Sequence, residues 1–295
     1  MDRPTESALS RHQIALPFLS SVPRILGHAR TNAPRLSVLG SVRIDNAARE
    51  FSSSRAIDVI AYLAFHRDGA SAERLKAWVW PVDSSPSPQA FANVMSRARI
   101  GLGQDDRGQP WLSRAGRDQM YRLDPRVRTD VDEFRELVAE AERADTELER
   151  LLHTTRALAL VRGAPFGGGA RSFAWTDQFA RAEILHLIDE TAHRGADLAL
   201  SLGRFSDARE AAFAGLRIIR GCEQCFERRF RAAAGERHSV ELRSAMGELI
   251  GVIAEDLGCE PSPQLVSSFV RETWSELVAE LNGNPGNATG RSQVQ

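Results

Sequence analysis

The chain is short of cysteine, holds one lysine and has no long apolar run. Three Cys in 295 residues cannot build a disulfide framework, which points to a reducing, cytoplasmic setting. No apolar stretch approaches the roughly 18 residues a membrane-spanning helix needs, so no membrane partner is expected. The opening Met1-Asp-Arg-Pro-Thr-Glu6 lacks the charged-then-apolar pattern of a signal peptide. Lys76 is the only lysine, so nearly all positive charge is arginine.

What is present is ordinary in amount and uneven in placement. Hydrophobic residues make up 42% and charged residues 26%, as in soluble globular chains. The length suits about two domains. The net charge of −1 conceals an asymmetry. Residues 1–34 carry four Arg against two acids, and residues 35–129 carry fifteen Lys and Arg against ten acids. Residues 130–295 carry nineteen against twenty-seven. A basic block followed by an acidic one suggests a polyanion-binding part joined to a different part.

Residues 1–34 read as a flexible arm, with Pro17 and Pro23 interrupting its apolar stretch. Leu36, Val38, Leu39, Val42 and Ile44 suggest two short strands around Gly40 and Ser41. A first helix is expected from Ser54 to about His66. A second follows the N-cap candidate Ser71 and ends by Pro81. A third starts at Ser87-Pro88, a good start signal, and runs to about Gly101. Trp111 and Leu112 then face Met120, Tyr121 and Leu123 across a hairpin whose tip holds Arg114 and Arg117. Strands, three helices and a hairpin in that order make the winged helix-turn-helix plan. From Asp130 the pattern is helical: 130–141, 148–161, 175–202 as one helix or two, 205–219, 223–234 and 239–257. Gly203 and Gly235 stand where helix C-caps would be, 32 residues apart, close to a helix-hairpin repeat. Gly167-Gly-Gly169 reads as a flexible linker, and 282–295 as a disordered tail.

The third helix carries the sharpest local signal. With Gln89 at 0° and about 100° per residue, Phe91, Met95, Ala98 and Leu102 fall near 200°, with Val94 beside them. That is the buried stripe. Gln89, Asn93 and Ser96 face the opposite way, flanked by Arg97 and Arg99. Asn and Gln can pair with adenine and Arg with guanine or phosphate, as a major-groove reader requires. Arg114 and Arg117 at the hairpin tip suit minor-groove or phosphate contact, and Lys76 could touch phosphate. Ile100 falls within the proposed reading face.

These motifs together resemble the bacterial transcriptional activator domain architecture of Streptomyces antibiotic regulatory proteins. The resemblance covers residues 35–280. It rests on Arg35-Leu-Ser-Val-Leu-Gly40, Ala77-Trp-Val-Trp-Pro81 and Ala92-Asn-Val-Met-Ser-Arg-Ala-Arg-Ile-Gly-Leu-Gly103. Tyr121-Arg-Leu123, Val131-Asp-Glu-Phe134, Ala157-Leu-Ala-Leu160, Ala199-Leu-Ser-Leu-Gly-Arg204 and Glu255-Asp-Leu-Gly-Cys-Glu-Pro-Ser-Pro263 extend it. Ile100 stands where the family usually has a basic residue. The resemblance implies a mainly α fold: an OmpR/PhoB-type winged helix (35–129), then an all-α, tetratricopeptide-like helical repeat domain (130–281). It implies a sequence-specific transcriptional regulator of double-stranded DNA, not an enzyme. The helical domain would oligomerise the protein or contact RNA polymerase. A protein-interaction scaffold whose winged helix has lost specific DNA binding is the alternative.

Other chemistry finds little support. Cys222-Glu-Gln-Cys225 could join His238 and Cys259 around zinc on paper, but a second closely spaced pair is missing, so no metal or cofactor is expected. Glu183-x-x-His186 and Glu190-x-x-His193 mimic di-iron half-motifs, yet both lie on one predicted helix. Gly167-Gly-Gly169 lacks the Lys of a phosphate-binding loop. No Ser-His-Asp or Cys-His set has local support.

Overall fold

A computed structural model of the chain describes residues 32–80, 85–167, 173–177, 180–256, 258 and 260–283. The expected arm before residue 32 and the tail after residue 283 lie outside the described residues.

Strand β1 (Arg35–Ser37) pairs antiparallel with β2 (Arg43–Asp45), Leu36 opposite Ile44. Between them Gly40 takes φ 139°, and a Cβ there would lie 3.0 Å from Arg162 Cβ, so both conformation and space call for glycine. Helix α1 (Ser54–Phe65) is buried at every position from Ala56 to Ala64, the mark of a central helix. Strand β3 (Ala70–Ser71) leads into α2 (Ala72–Val79), whose N-cap Ser71 accepts from Arg74 N–H. Helix α3 (Pro88–Leu102) packs on α1. Strand β4 (Met120–Tyr121) pairs with β3, and β5 (Arg128–Thr129) lies parallel to β1, giving a three-stranded sheet of order β2-β1-β5.

The rest of the chain is helical. It comprises α4 (Asp130–Arg143), α5 (Glu147–Leu158), a 3-10 turn (Ala174–Asp177), α6 (Ala180–Ser201) and α7 (Phe205–Ile218). It closes with α8 (Glu223–Gly235), α9 (Ser239–Ile250), a π turn (Gly251–Asp256) and α10 (Pro263–Gly283). Sequential helices pack as neighbours, α4 on α5, α6 on α7, α7 on α8 and α8 on α9. The fold is mainly α, a winged helix followed by helical repeats, as the sequence implied. No helix of the described residues is long and apolar enough to cross a membrane.

Several local expectations are corrected. The helix expected over 175–202 is a 3-10 turn followed by α6, starting at Ala180. Gly203 does take φ 66° after α6, but Gly235 is the last residue of α8 and no left-handed cap. It is needed for close approach, because a Cβ there would lie 2.3 Å from the Phe205 ring. Gly167, expected in a free linker, bridges to Ser41, and its neighbours 168–169 lie outside the described residues. Helix α10 is not among the helices expected from the sequence, and its end takes in residues 282 and 283 of the expected tail.

The two parts of the chain share one core. A single buried cluster runs from Leu36, Ile60 and Leu63 through Leu102 and Leu112 to Phe134, Leu158, Ile188 and Ala196. A second gathers Leu216, Phe226, Phe230, Leu242, Leu249 and Leu265 on α7–α10. Each such side chain contributes about 1.5–3 kcal/mol when fully buried. Aromatic rings extend the shared core: Trp175 meets Tyr62 at 5.3 Å and Phe65 at 5.7 Å, and Phe166 meets Phe65 at 5.5 Å.

Asp130, the first residue of α4, ties this junction together. Its two carboxylate oxygens accept the Val38 N–H at 2.8 Å and the Leu39 N–H at 3.0 Å, and Arg162 donates to it at 3.1 Å. Burial holds the carboxyl above the usual carboxylate range, although all three bonds pull the other way. The loop after α5 joins β1 as well, Arg162 N–H donating to Leu39 C=O at 2.7 Å and Phe166 N–H to Val38 C=O at 2.8 Å. Asp130→Asn keeps the shape but offers one acceptor oxygen to two N–H donors. One buried donor loses its partner, so chemical denaturation should show a loss of about 1–3 kcal/mol.

Candidate nucleic-acid interface

Local sequence sets the third helix. Ser87 accepts the Ala90 N–H at 3.2 Å and Pro88 occupies the first helical position. The buried stripe is Phe91, Met95, Ala98 and Leu102, with Val94 partly buried beside it, as the angular reading predicted. Gln89, Asn93, Ser96 and Arg97 are all exposed on the outer face. Gln89 Nε2 donates to Asn93 Oδ1 at 3.1 Å, one turn apart, so these two amides form a single polar unit. Ile100 lies on the same face and is 53% exposed.

The hairpin forms next to it. Leu112 bridges Leu123, and Ser113 N–H donates to Arg122 C=O at 2.9 Å. Its tip carries Arg114 and Arg117, both exposed. Arg99 behaves differently from its expected role. It is half-buried and its Nε donates to Leu112 C=O at 3.3 Å, which couples the helix to the base of the wing. Burial, and next the positive charge of Arg114, hold its guanidinium below the usual arginine range. Lys76 on α2 is half-buried, and its Nζ sits 5.2 Å from the Phe91 ring centroid, a cation–π contact.

The charges divide into used and unused. Arg122 pairs with Asp118 at 2.7 Å, and Arg126 with Asp105 at 2.7 Å and Asp124 at 2.9 Å. Hydrogen bonds from Met120 N–H and then Arg122 hold the Asp118 carboxyl below its usual range. Asp105, Asp118 and Asp124 are therefore occupied by Arg122 and Arg126. Among the described residues no carboxylate pairs with Arg97, Arg114 or Arg117. Their charge is available to an outside polyanion.

The arrangement defines a class: a winged helix with an open third helix and a basic wing, followed by helical repeats. No family model and no curated protein matches the chain. Among solved structures it is similar to Mycobacterium tuberculosis EmbR, determined in complex with a low-affinity phosphopeptide. The two are 21% identical with a TM-score of 0.53, over 88% of this chain and 74% of that one. The likeness is one of fold.

A second grouping lies elsewhere. Of the two partners the sequence offers Cys222 and Cys225, His238 is instead the N-cap residue of α9, and Cys259 lies outside the described residues. His193 and Asp189 of α6 meet the pair instead. Their i, i+4 spacing on one helix is the signal the sequence offers; the half-motif weighed there was Glu190-x-x-His193, which shares only the histidine. Glu183 and Glu190 of those half-motifs pair with Arg135 and Arg194.

Ser87→Ala removes the cap of α3 while touching none of its outer face. Thermal or chemical unfolding should show a loss of about 1 kcal/mol.

Proposed function

We propose that the chain is a transcriptional regulator that binds double-stranded DNA sequence-specifically. Residues 35–129 form its DNA-reading winged helix and residues 130–281 its helical activator domain. Helix α3 enters the major groove, with Gln89, Asn93, Ser96 and Arg97 toward base edges. Arg114 and Arg117 reach phosphate or the minor groove, and Lys76 lies near the backbone. Arg99 holds the wing against α3 and adds positive charge from behind. The helical domain oligomerises the protein or meets RNA polymerase.

One observation carries this reading. Gln89, Asn93 and Ser96 share an open helix face with Arg97, beside Arg114 and Arg117, and among the described residues no carboxylate neutralises any of these three arginines. The second reading, a protein-interaction scaffold, is favoured by Ile100, 53% exposed in the middle of that face. On a DNA reader Ile100 packs against a thymine methyl; on a scaffold it packs against a partner protein.

Arg97→Ala should relax base preference by about 1–3 kcal/mol at the position it reads. Arg114→Ala and Arg117→Ala should weaken binding to all duplexes alike and lower the salt slope by about one each. Fluorescence anisotropy on a selected duplex and its single-base variants, at several salt concentrations, separates the two effects. Unchanged affinity and preference in Arg97→Ala would contradict the docking.

A further inference from the structure

Away from the proposed DNA face, four side chains with metal-ligating atoms converge between α6 and the start of α8. Asp189 and His193 stand one turn apart on α6. Cys222 is the N-cap of α8, and Cys225 lies in its first turn. One ligand atom from each lies within 4.8 Å of the other three. His193 Nε2 is 3.4 Å from Cys222 Sγ and 3.4 Å from Cys225 Sγ. Asp189 Oδ2 lies 3.7 Å from His193 Nδ1. The other carboxylate oxygen, Oδ1, is enclosed and has no hydrogen-bond partner among the described residues.

The two separations between His193 Nε2 and the sulfurs match a tetrahedral metal, and Asp189 offers its carboxylate within the same 4.8 Å. Zn–S near 2.3 Å and Zn–N near 2.0–2.1 Å place sulfur and nitrogen about 3.5 Å apart across a tetrahedral edge. We infer that Asp189, His193, Cys222 and Cys225 form a binding site for a zinc-class divalent metal ion. Two thiols, an imidazole and a carboxylate suit a borderline-soft ion and disfavour magnesium or calcium.

The surroundings agree. The Cys225 N–H donates to Cys222 Sγ at 3.3 Å, which orients one sulfur from the backbone. The N-terminus of α8 favours negative charge at both sulfurs. The hydrogen bond from Cys225 and that from His193 lower the Cys222 thiol to about 6, with burial opposing them. The Cys225 thiol is pushed up by its bond to Cys222 and by burial. Binding M²⁺ forms two metal–sulfur bonds and releases to solvent the protons the thiols carry.

The site would clasp two repeats. Helix α7 runs close behind it, where a Cβ on Gly215 would lie 2.6 Å from Cys225 Sγ. A metal here joins α6 to α8 across α7 and stiffens the junction of the two cores. It is independent of the DNA face, so either claim can fail alone.

The test uses the full chain, purified reduced and without a metal-affinity step. Elemental analysis should find about one zinc per chain. Cobalt added to the stripped protein should give sulfur-to-cobalt charge transfer and the visible bands of a four-coordinate centre. Cys222→Ser and His193→Gln, both at half-buried positions, should abolish the charge-transfer band or weaken binding at least 100-fold. Asp189→Asn should weaken binding about 10–100-fold. Circular dichroism confirms that each variant is folded, and zinc should raise the melting temperature of the unmutated chain more than that of any variant. Three outcomes overturn the site: reduced, folded protein that takes up neither metal; cobalt spectra unchanged in Cys222→Ser; or a Cys222–Cys225 disulfide as the resting state under mild reductant with no metal taken up.

Discussion

The carboxylate of Asp130 is the joint on which the rest of the molecule hangs. It receives two successive backbone N–H groups of the segment leaving β1 and one guanidinium from the loop after α5. Backbone donors buried at such a place would otherwise go unpaired, at a cost comparable to a lost hydrogen bond. The first strand, the first helix of the repeats and the end of the second are thereby held at one point. Gly40 and Arg162 fit against each other there with no room for a side chain on the glycine.

The orientation of the outer face follows from that joint. Helix α1 is buried from Ala56 to Ala64 because α2 and α3 cover one part of it, and the aromatic cluster around Trp175 covers another. Helix α3 lies on α1 and takes its direction from it. Arg99 and Leu112 then couple α3 to the wing. Winged helix and repeats share one core rather than meeting as separate bodies on a linker.

Much of this was legible in the sequence, and for identifiable reasons. The angular count on 89–102 separated Phe91, Met95, Ala98 and Leu102 from Gln89, Asn93 and Ser96, because a helix of known period leaves little freedom. Ser71, Ser87 and Pro88 marked helix starts by local chemistry that needs no tertiary context. Three of the differences are long-range. The sequence suggests a cap at Gly235, but its position is set by a ring 30 residues earlier in the chain. It suggests a loose linker at Gly167, which pairs with Ser41. The helical angle alone points Arg99 toward phosphate, and the carbonyl it binds comes from the wing. The meeting of His193 with Cys222 and Cys225 depends on how α6 crosses α8, which no spacing along the chain encodes.

The most direct measurement is selection from a random duplex DNA pool with the purified chain at low and near-physiological salt. The account predicts an enriched motif at both, with affinity falling steeply as salt rises because counterions are released from the phosphates. Uniform recovery of all sequences, or binding indifferent to salt, would contradict it and leave the exposed face of α3 to a protein partner.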